Sequence, residues 1–244
     1  MNKKELASYI DQTLLSPCAT GEEVISFCQK AKEYGFASVC INPSFVELAS
    51  KILKGSATKV CTVIDFPLGA GGLETKLAQT DIAITQGADE LDYVVNLSYV
   101  KSHSWQKLTE ELKFIEKAAR EASLMAFLDQ GPKKVVLKLI IETCYLSDEE
   151  IIESCKAAKN ANFDFVKTST GFAILKDEKG FLLPNGAAPH AVSLMRQTVG
   201  PEMGVKASGG IHSAKEALDL IAAGASRIGS SSGVKIVDGL EEEE

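Results

Sequence analysis

The sequence predicts a single α/β domain folded as a (β/α)8 TIM barrel, and three observations carry that expectation. Eight short β-rich runs succeed one another along 244 residues. Each is separated from the next by a stretch with helical character, which predicts parallel strands joined by crossover helices. No linker, composition break or low-complexity tract interrupts the alternation before the acidic tail at 241–244, so residues 1–244 read as one domain. A doubly wound open sheet of eight strands is the alternative arrangement.

In chain order, the first run is Ile10 to Leu15, followed by a capping box at Thr20 and Glu23 that marks a helix start. The second, Ala37 to Asn42, precedes Ser44 to Leu53, where Phe45, Leu48, Ala49 and Ile52 share one helical face. Ser44 and Glu47 form a further capping box there. Val60 to Phe66 and Leu91 to Leu97 are the third and fourth runs. Trp105 to Ala122 then repeats the amphipathic pattern with Leu108, Leu112, Ile115 and Ala119. The fifth run is Val135 to Ile141, with a capping box at Ser147 and Glu150 after it. Phe163 to Ser169, Val205 to Ser208 and Arg227 to Ser230 complete the eight, with a last capping box at Ser213 and Glu216. A weak internal echo supports the count. Near Gly35, Gly87, Asn160 and Gly224, a residue suited to ending a helix in the left-handed region stands shortly before a strand.

Composition narrows the function. With 45% hydrophobic and 24% charged residues the chain is an ordinary globular protein, which excludes wholesale disorder, collagen-like repeats and a disulfide-dense miniprotein. A net charge of −7 gives no electrostatic reason to bind nucleic acid or an anionic membrane, so neither is an expected partner. Any anionic ligand must be met by a local positive pocket. The start of the chain lacks an apolar leader and no apolar segment is long enough to span a bilayer, so a cytoplasmic protein is expected. Cys18, Cys28, Cys40, Cys61, Cys144 and Cys155 are scattered, several inside apolar runs, as buried reduced thiols would be. His103, His190 and His212 show no metal-ligand spacing, so no metal or other cofactor is expected.

Chemistry is then expected from lysines and carboxylates. Lys138, Lys167 and Lys206 each occupy a predicted core strand where periodicity asks for an apolar residue. One such lysine is most simply a strand-end residue reaching for water. Three on neighbouring strands shift the balance. If strands five to seven are adjacent, the lysines share a desolvated interior in which burial and like-charge repulsion favour the neutral amine. A neutral amine is the nucleophile that forms a Schiff base with a carbonyl. Asp11, Asp65, Asp92 and Glu142 lie in or at the ends of strands one, three, four and five. Asp92, inside an otherwise apolar run, is either a charge partner for a lysine or a proton carrier, and Asp65 is a turn residue. Glycine-rich turns follow strands seven and eight, at Ser208 to Gly210 and Gly229 to Gly233. In barrels these loops commonly bind phosphate through backbone amides.

These residues resemble the deoxyribose-phosphate aldolase family. The matching segments are Ile10-Asp-Gln-Thr-Leu-Leu, Cys40-Ile-Asn-Pro, Phe66-Pro-Leu-Gly, Gly87-Ala-Asp-Glu-Leu-Asp, Leu137-Lys-Leu-Ile-Ile-Glu-Thr, Phe165-Val-Lys-Thr-Ser-Thr-Gly-Phe, Val205-Lys-Ala-Ser-Gly-Gly-Ile and Arg227-Ile-Gly-Ser-Ser. The resemblance implies a metal-free class I aldolase that cleaves 2-deoxy-D-ribose 5-phosphate reversibly to acetaldehyde and D-glyceraldehyde 3-phosphate. It implies that Lys167 forms the imine, that Lys206 lowers its pKa and assists proton transfer, and that Asp92 joins the relay. Thr13, Cys40 and Lys138 would line the substrate pocket. Gly171, Gly209, Gly210, Gly229, Ser231 and Ser232 would hold the phosphate. Phosphorylated sugars and aldehydes are then the expected partners, and a homodimer the expected assembly.

Three departures from the family pattern stand out. Gln12 replaces a frequent histidine, His212 replaces a frequent arginine, and the stretch Ala173 to Ala188 exceeds the usual short turn. That stretch reads as a surface insertion or a lid, and the C-terminal tyrosine of some longer relatives is absent. The rival functions are another imine-forming aldolase or transaldolase, and a non-catalytic sugar-phosphate binding barrel.

Overall fold

The computed structural model describes residues 1–126 and 134–241. Each of the eight runs forms a strand: β1 (Ile10–Leu14), β2 (Ser38–Ile41), β3 (Lys59–Ile64), β4 (Glu90–Val94), β5 (Val136–Ile140), β6 (Phe165–Lys167), β7 (Gly204–Ser208) and β8 (Arg227–Ser230). Every neighbouring pair is parallel, and β1 pairs with both β2 and β8, so the sheet closes on itself. This is the (β/α)8 barrel, not the open sheet. Around it lie α1 (Lys3–Ser8), α2 (Gly21–Tyr34), α3 (Val46–Leu53), α4 (Leu73–Thr85), α5 (Leu97–Lys101), α6 (Trp105–Ala126), α7 (Asp148–Asn160), α8 (Pro189–Val199), α9 (Ala214–Ala222) and α10 (Gly233–Asp238).

Strand alternation sorts the core. Ile10, Val39, Leu91, Leu139, Val166, Val205 and Ile228 are fully buried in the main apolar cluster beneath the helices. The alternate positions, including Asp11, Cys40, Cys61, Asp92, Lys138 and Lys206, are equally buried but face the barrel interior. The interior is therefore largely polar while the layer between sheet and helices is apolar.

Local chemistry explains where the elements depart from expectation. The fourth strand stops at Val94, short of Leu97, because the Asn96 side chain caps α5 by accepting from the Ser98 N–H at 3.1 Å. Ser44 caps nothing: it lies within a 3₁₀ turn, Pro43–Phe45, so the expected box with Glu47 does not form. The boxes at Thr20, Ser147 and Ser213 do form, and Asn2 with Glu5 supplies another. At the end of α7 the left-handed residue is Asn162 (φ 56°), two positions beyond Asn160. The stretch after β6 folds into a small hairpin, with a bridge between Lys176 and Leu182 and with Asp177 Oδ1 accepting from the Lys179 and Phe181 N–H groups. Among the described residues no helix is long and apolar enough to cross a membrane.

Candidate active site

Lys167 ends β6 and is the register partner of Lys206 on β7; Asp92 on β4 is the partner of Lys138 on β5. Partners in a parallel ladder project to the same side, and here all four project inward. Their heads meet on one carboxylate. Asp92 Oδ2 lies 2.9 Å from Lys167 Nζ and 2.8 Å from Lys206 Nζ, while Oδ1 lies 2.7 Å from Lys138 Nζ and accepts the Cys61 thiol at 3.2 Å. A second carboxylate, Asp11, sits 2.5 Å from Lys206 Nζ and 2.6 Å from Arg227 Nη1. Glu90 contacts Lys138 at 2.7 Å and Arg227 at 3.3 Å.

Among the described residues, this contact network joins four cations, Lys138, Lys167, Lys206 and Arg227, to three carboxylates, Asp11, Glu90 and Asp92. Burial opposes every one of these charges, yet the partners decide the outcome. Burial raises the Asp92 pKa, but Lys138, Lys167 and Lys206 together hold it well below the carboxylate range. Asp11 is likewise low: Arg227, Lys206 and Lys138 outweigh its burial. Burial would drive Lys206 and Lys138 toward the neutral amine. Asp11 and Asp92 reverse this for Lys206, as Asp92, Cys61, Glu90 and Asp11 do for Lys138, and both stay protonated well above the ordinary lysine range. The expectation that a shared interior favours the neutral amine is therefore corrected for these two lysines, because each meets at least two carboxylates.

These shifts set a pH window for stability. Carboxylates held low contribute fully above their unfolded pKa and lose that contribution as pH falls through the folded value; lysines held high contribute fully below theirs and lose it as pH rises through the folded value. The network's contribution is thus expected to be constant from about pH 4 to about pH 10.4. Thermal unfolding of wild type against Asp11→Asn checks this, and a stability difference that vanished near neutral pH would contradict it.

Above the network a cavity of about 330 Å³ opens between the loops after β1, β6, β7 and β8. Thr13 and Lys167 line its floor side, with Gly171, Gly209, Gly210, Gly229 and Ser231 around them. The backbone N–H groups of Gly171, Gly209, Gly210 and Ser231 have no hydrogen-bond partner among the described residues. Unpaired backbone amides gathered around one cavity are suited to binding an anion. Tight packing shapes the turn: a side chain at Gly209 (φ 90°) would place Cβ 2.9 Å from Gly186 Cα. His212 borders the same cavity, its Nδ1 3.2 Å from Ser232 Oγ.

Other expected site residues lie elsewhere. Cys40 and Lys138 are not among the residues that border this cavity; both are fully buried below it, Cys40 in a small cluster with Leu15, Cys61 and Val63. Ser232 is set back from the wall at the start of α10. Asp92 and Lys206 are also fully buried; Asp92 accepts from the cavity-lining Lys167, and Lys206 donates to Asp92. Three participants were not singled out, or not fully, by sequence reasoning. Glu90 lies two residues before Asp92 on the same strand face, a period-2 signal that could have revealed it. Arg227 likewise shares a face with Gly229. Glu142 is legible as a strand-end carboxylate, but what it does is not. It is buried with φ 55°, and its carboxylate accepts the Thr170 N–H at 3.1 Å and the Thr170 hydroxyl, fixing the loop that carries Gly171. Burial raises the Glu142 pKa despite those bonds.

Two buried trios, Cys40, Cys61 and Asp92, and Asp11, Cys61 and Glu90, bring donor atoms within 4.8 Å of one another. Neither suits a metal. Lys138, Lys206 and Arg227 already occupy the cationic places beside these carboxylates, and burial pushes the shared Cys61 thiol well above its usual pKa, against the thiolate a metal needs.

A family model described as DeoC/LacD family aldolase matches residues 6–238. The chain is 47% identical to the deoxyribose-phosphate aldolase of Clostridium perfringens (strain SM101 / Type A) over 239 residues, covering 98% of this chain and 97% of that protein. It is also 47% identical to the deoxyribose-phosphate aldolase of Thermococcus kodakarensis, with 100% of each chain covered. Among solved structures, the deoxyribose phosphate aldolase of Aeropyrum pernix, described as a unique tetramer, superposes with a TM-score of 0.82 at 34% identity, covering 97% of this chain and 91% of that one.

Proposed function

The chain belongs to the DeoC/LacD family of aldolases, and on that premise we propose that it reversibly cleaves 2-deoxy-D-ribose 5-phosphate to D-glyceraldehyde 3-phosphate and acetaldehyde through a Schiff base on Lys167. The observation that carries the assignment is placement. Of the three interior lysines only Lys167 borders the cavity, and among the described residues it has a single carboxylate contact, to Asp92.

In the cleavage direction the Lys167 amine adds to the C1 aldehyde of the open-chain sugar and water leaves, giving a protonated imine. The C2–C3 bond then breaks, its electron pair moving to form an enamine on the Lys167 nitrogen. The C3 hydroxyl gives up its proton and departs as the aldehyde of glyceraldehyde 3-phosphate. Protonation of the enamine at C2 and addition of water release acetaldehyde and restore the amine. Lys206, kept charged by Asp11 and Asp92, is the proton store for these steps, and Asp92 links it to the Lys167 nitrogen. Lys138 pins the other oxygen of Asp92. Thr13 borders the sugar, and the amides of Gly171, Gly209, Gly210 and Ser231 receive the 5-phosphate. Gly229 leaves room for the Lys206 side chain: a Cβ there would lie 3.0 Å from Lys206 Cε and from Ser208 Cβ.

Incubation with deoxyribose 5-phosphate and direct measurement of acetaldehyde and glyceraldehyde 3-phosphate tests the proposal. Equimolar release of both supports it. Dihydroxyacetone transfer instead, or binding without turnover, would contradict it. A homodimer or larger self-assembly belongs to the same proposal, supported by the tetramer described for the Aeropyrum pernix relative; a monomer in sedimentation at working concentration would remove that part. A cytoplasmic location is proposed as well, which the buried free thiols of Cys28, Cys40, Cys61 and Cys155 support.

A further inference from the structure

Gln12 stands on the outward face of β1. Its neighbours on that face, Ile10 and Leu14, are apolar and pack in the main core, whereas Asp11 projects into the barrel. Only 6% of Gln12 is exposed. An amide buried at such a position costs free energy unless both its donor and its acceptor are used. Both are. Oε1 accepts the Gly233 N–H at 2.9 Å, and Nε2 donates to the Ser231 carbonyl at 3.4 Å.

These two bonds straddle Ser232 and grip the turn between β8 and α10 from beneath. The turn is held from within as well: Ser230 Oγ accepts the Ser232 N–H at 2.9 Å and donates to the Ile211 carbonyl at 2.6 Å. Gly233 meets the amide so closely that a Cβ there would fall 2.1 Å from Gln12 Oε1 and 2.7 Å from Ile10 Cγ2. The gripped turn begins with Ser231, which lies on the cavity wall with its own N–H unpaired among the described residues. An apolar side chain at position 12 would fill the space beside Ile10 as well, so packing alone does not call for an amide.

We propose that Gln12 is a specificity-determining positioning residue: by fixing the backbone on the C-terminal side of Ser231 it holds the Ser231 N–H toward the substrate phosphate and sets the preference for phosphorylated over unphosphorylated sugar. The inference rests on the phosphate reading given above. Gln12 does not touch substrate; it acts through the Ser231 to Gly233 backbone, with both bonds made by an uncharged group.

The test compares kcat and KM for deoxyribose 5-phosphate and for 2-deoxyribose in wild type, Gln12→Met and Gln12→Glu, with thermal unfolding as the check on folding. Gln12→Met keeps volume and loses both bonds. It is expected to raise KM for the phosphorylated sugar about tenfold, the equivalent of one to two net hydrogen bonds, with kcat nearly constant. Its kcat/KM for 2-deoxyribose should change less than about twofold. Gln12→Glu keeps the acceptor for Gly233 but sets a carboxylate against the Ser231 carbonyl, and should lose at least as much of the preference. Equal losses on both sugars, or a wild-type preference retained by both variants, would overturn the role of Gln12. A wild type without preference for the phosphorylated sugar would overturn the phosphate reading itself, and this inference with it.

Discussion

Lys167→Met is expected to abolish cleavage of deoxyribose 5-phosphate to background while leaving the melting temperature unchanged or higher. The loss follows from chemistry, since a thioether forms no imine. Neither Lys138 nor Lys206 can substitute, because both are walled off from the cavity and held in the charged form by their carboxylates. The stability half follows from the contacts of Asp92. Without Lys167 each Asp92 oxygen still keeps one lysine, Lys138 on Oδ1 and Lys206 on Oδ2. Asp92 therefore stays paired on both oxygens, while methionine removes a polar head from a buried site, a stability cost maintained for function. Steady-state assays and thermal unfolding of the same preparation check both halves. Residual turnover above about one per cent, or a clear loss of stability, would count against the account.

Asp92→Asn is expected to do harm on both scales. The amide offers one acceptor oxygen where the carboxylate served three ammonium groups and the Cys61 thiol, and it turns an NH2 toward one of the lysines. Breaking buried charge pairs from one side typically costs about 3–5 kcal/mol. Turnover should fall by about 10²- to 10⁴-fold, the range of general acid–base catalysis, because Lys206 loses its link to the Lys167 nitrogen. Denaturant unfolding and kcat measure the two effects separately. Near-normal turnover would leave Asp92 a structural partner only, and unchanged stability would deny that the interior charges are coupled as the distances indicate.

The barrel is legible in the sequence because strand periodicity is local. Lysines inside apolar runs mark Lys138, Lys167 and Lys206 as facing the interior before any partner is known. Depth along the barrel is not legible, since it depends on register between strands far apart in sequence. The β5–β6 register pairs Lys138 with Phe165, two residues before Lys167, so Lys138 lies one inward step deeper and misses the cavity. Cys40 is buried for the same kind of reason: it pairs with Cys61, which in turn pairs with Glu90, two residues before Asp92. The protonation of the lysines also lies beyond a sequence argument, because its sign turns on which carboxylates approach within 3 Å. Gln12 is visible in the sequence as a departure from the family pattern, but its role emerges only where the chain returns over β1 through Gly233.

Reduction with borohydride in the presence of acetaldehyde, followed by peptide mapping, tests the central claim most directly. The account predicts one ethyl group per chain, carried by Lys167 and absent from Lys167→Met. An adduct mapping to Lys206 or Lys138, or trapping that persists in Lys167→Met, would contradict it.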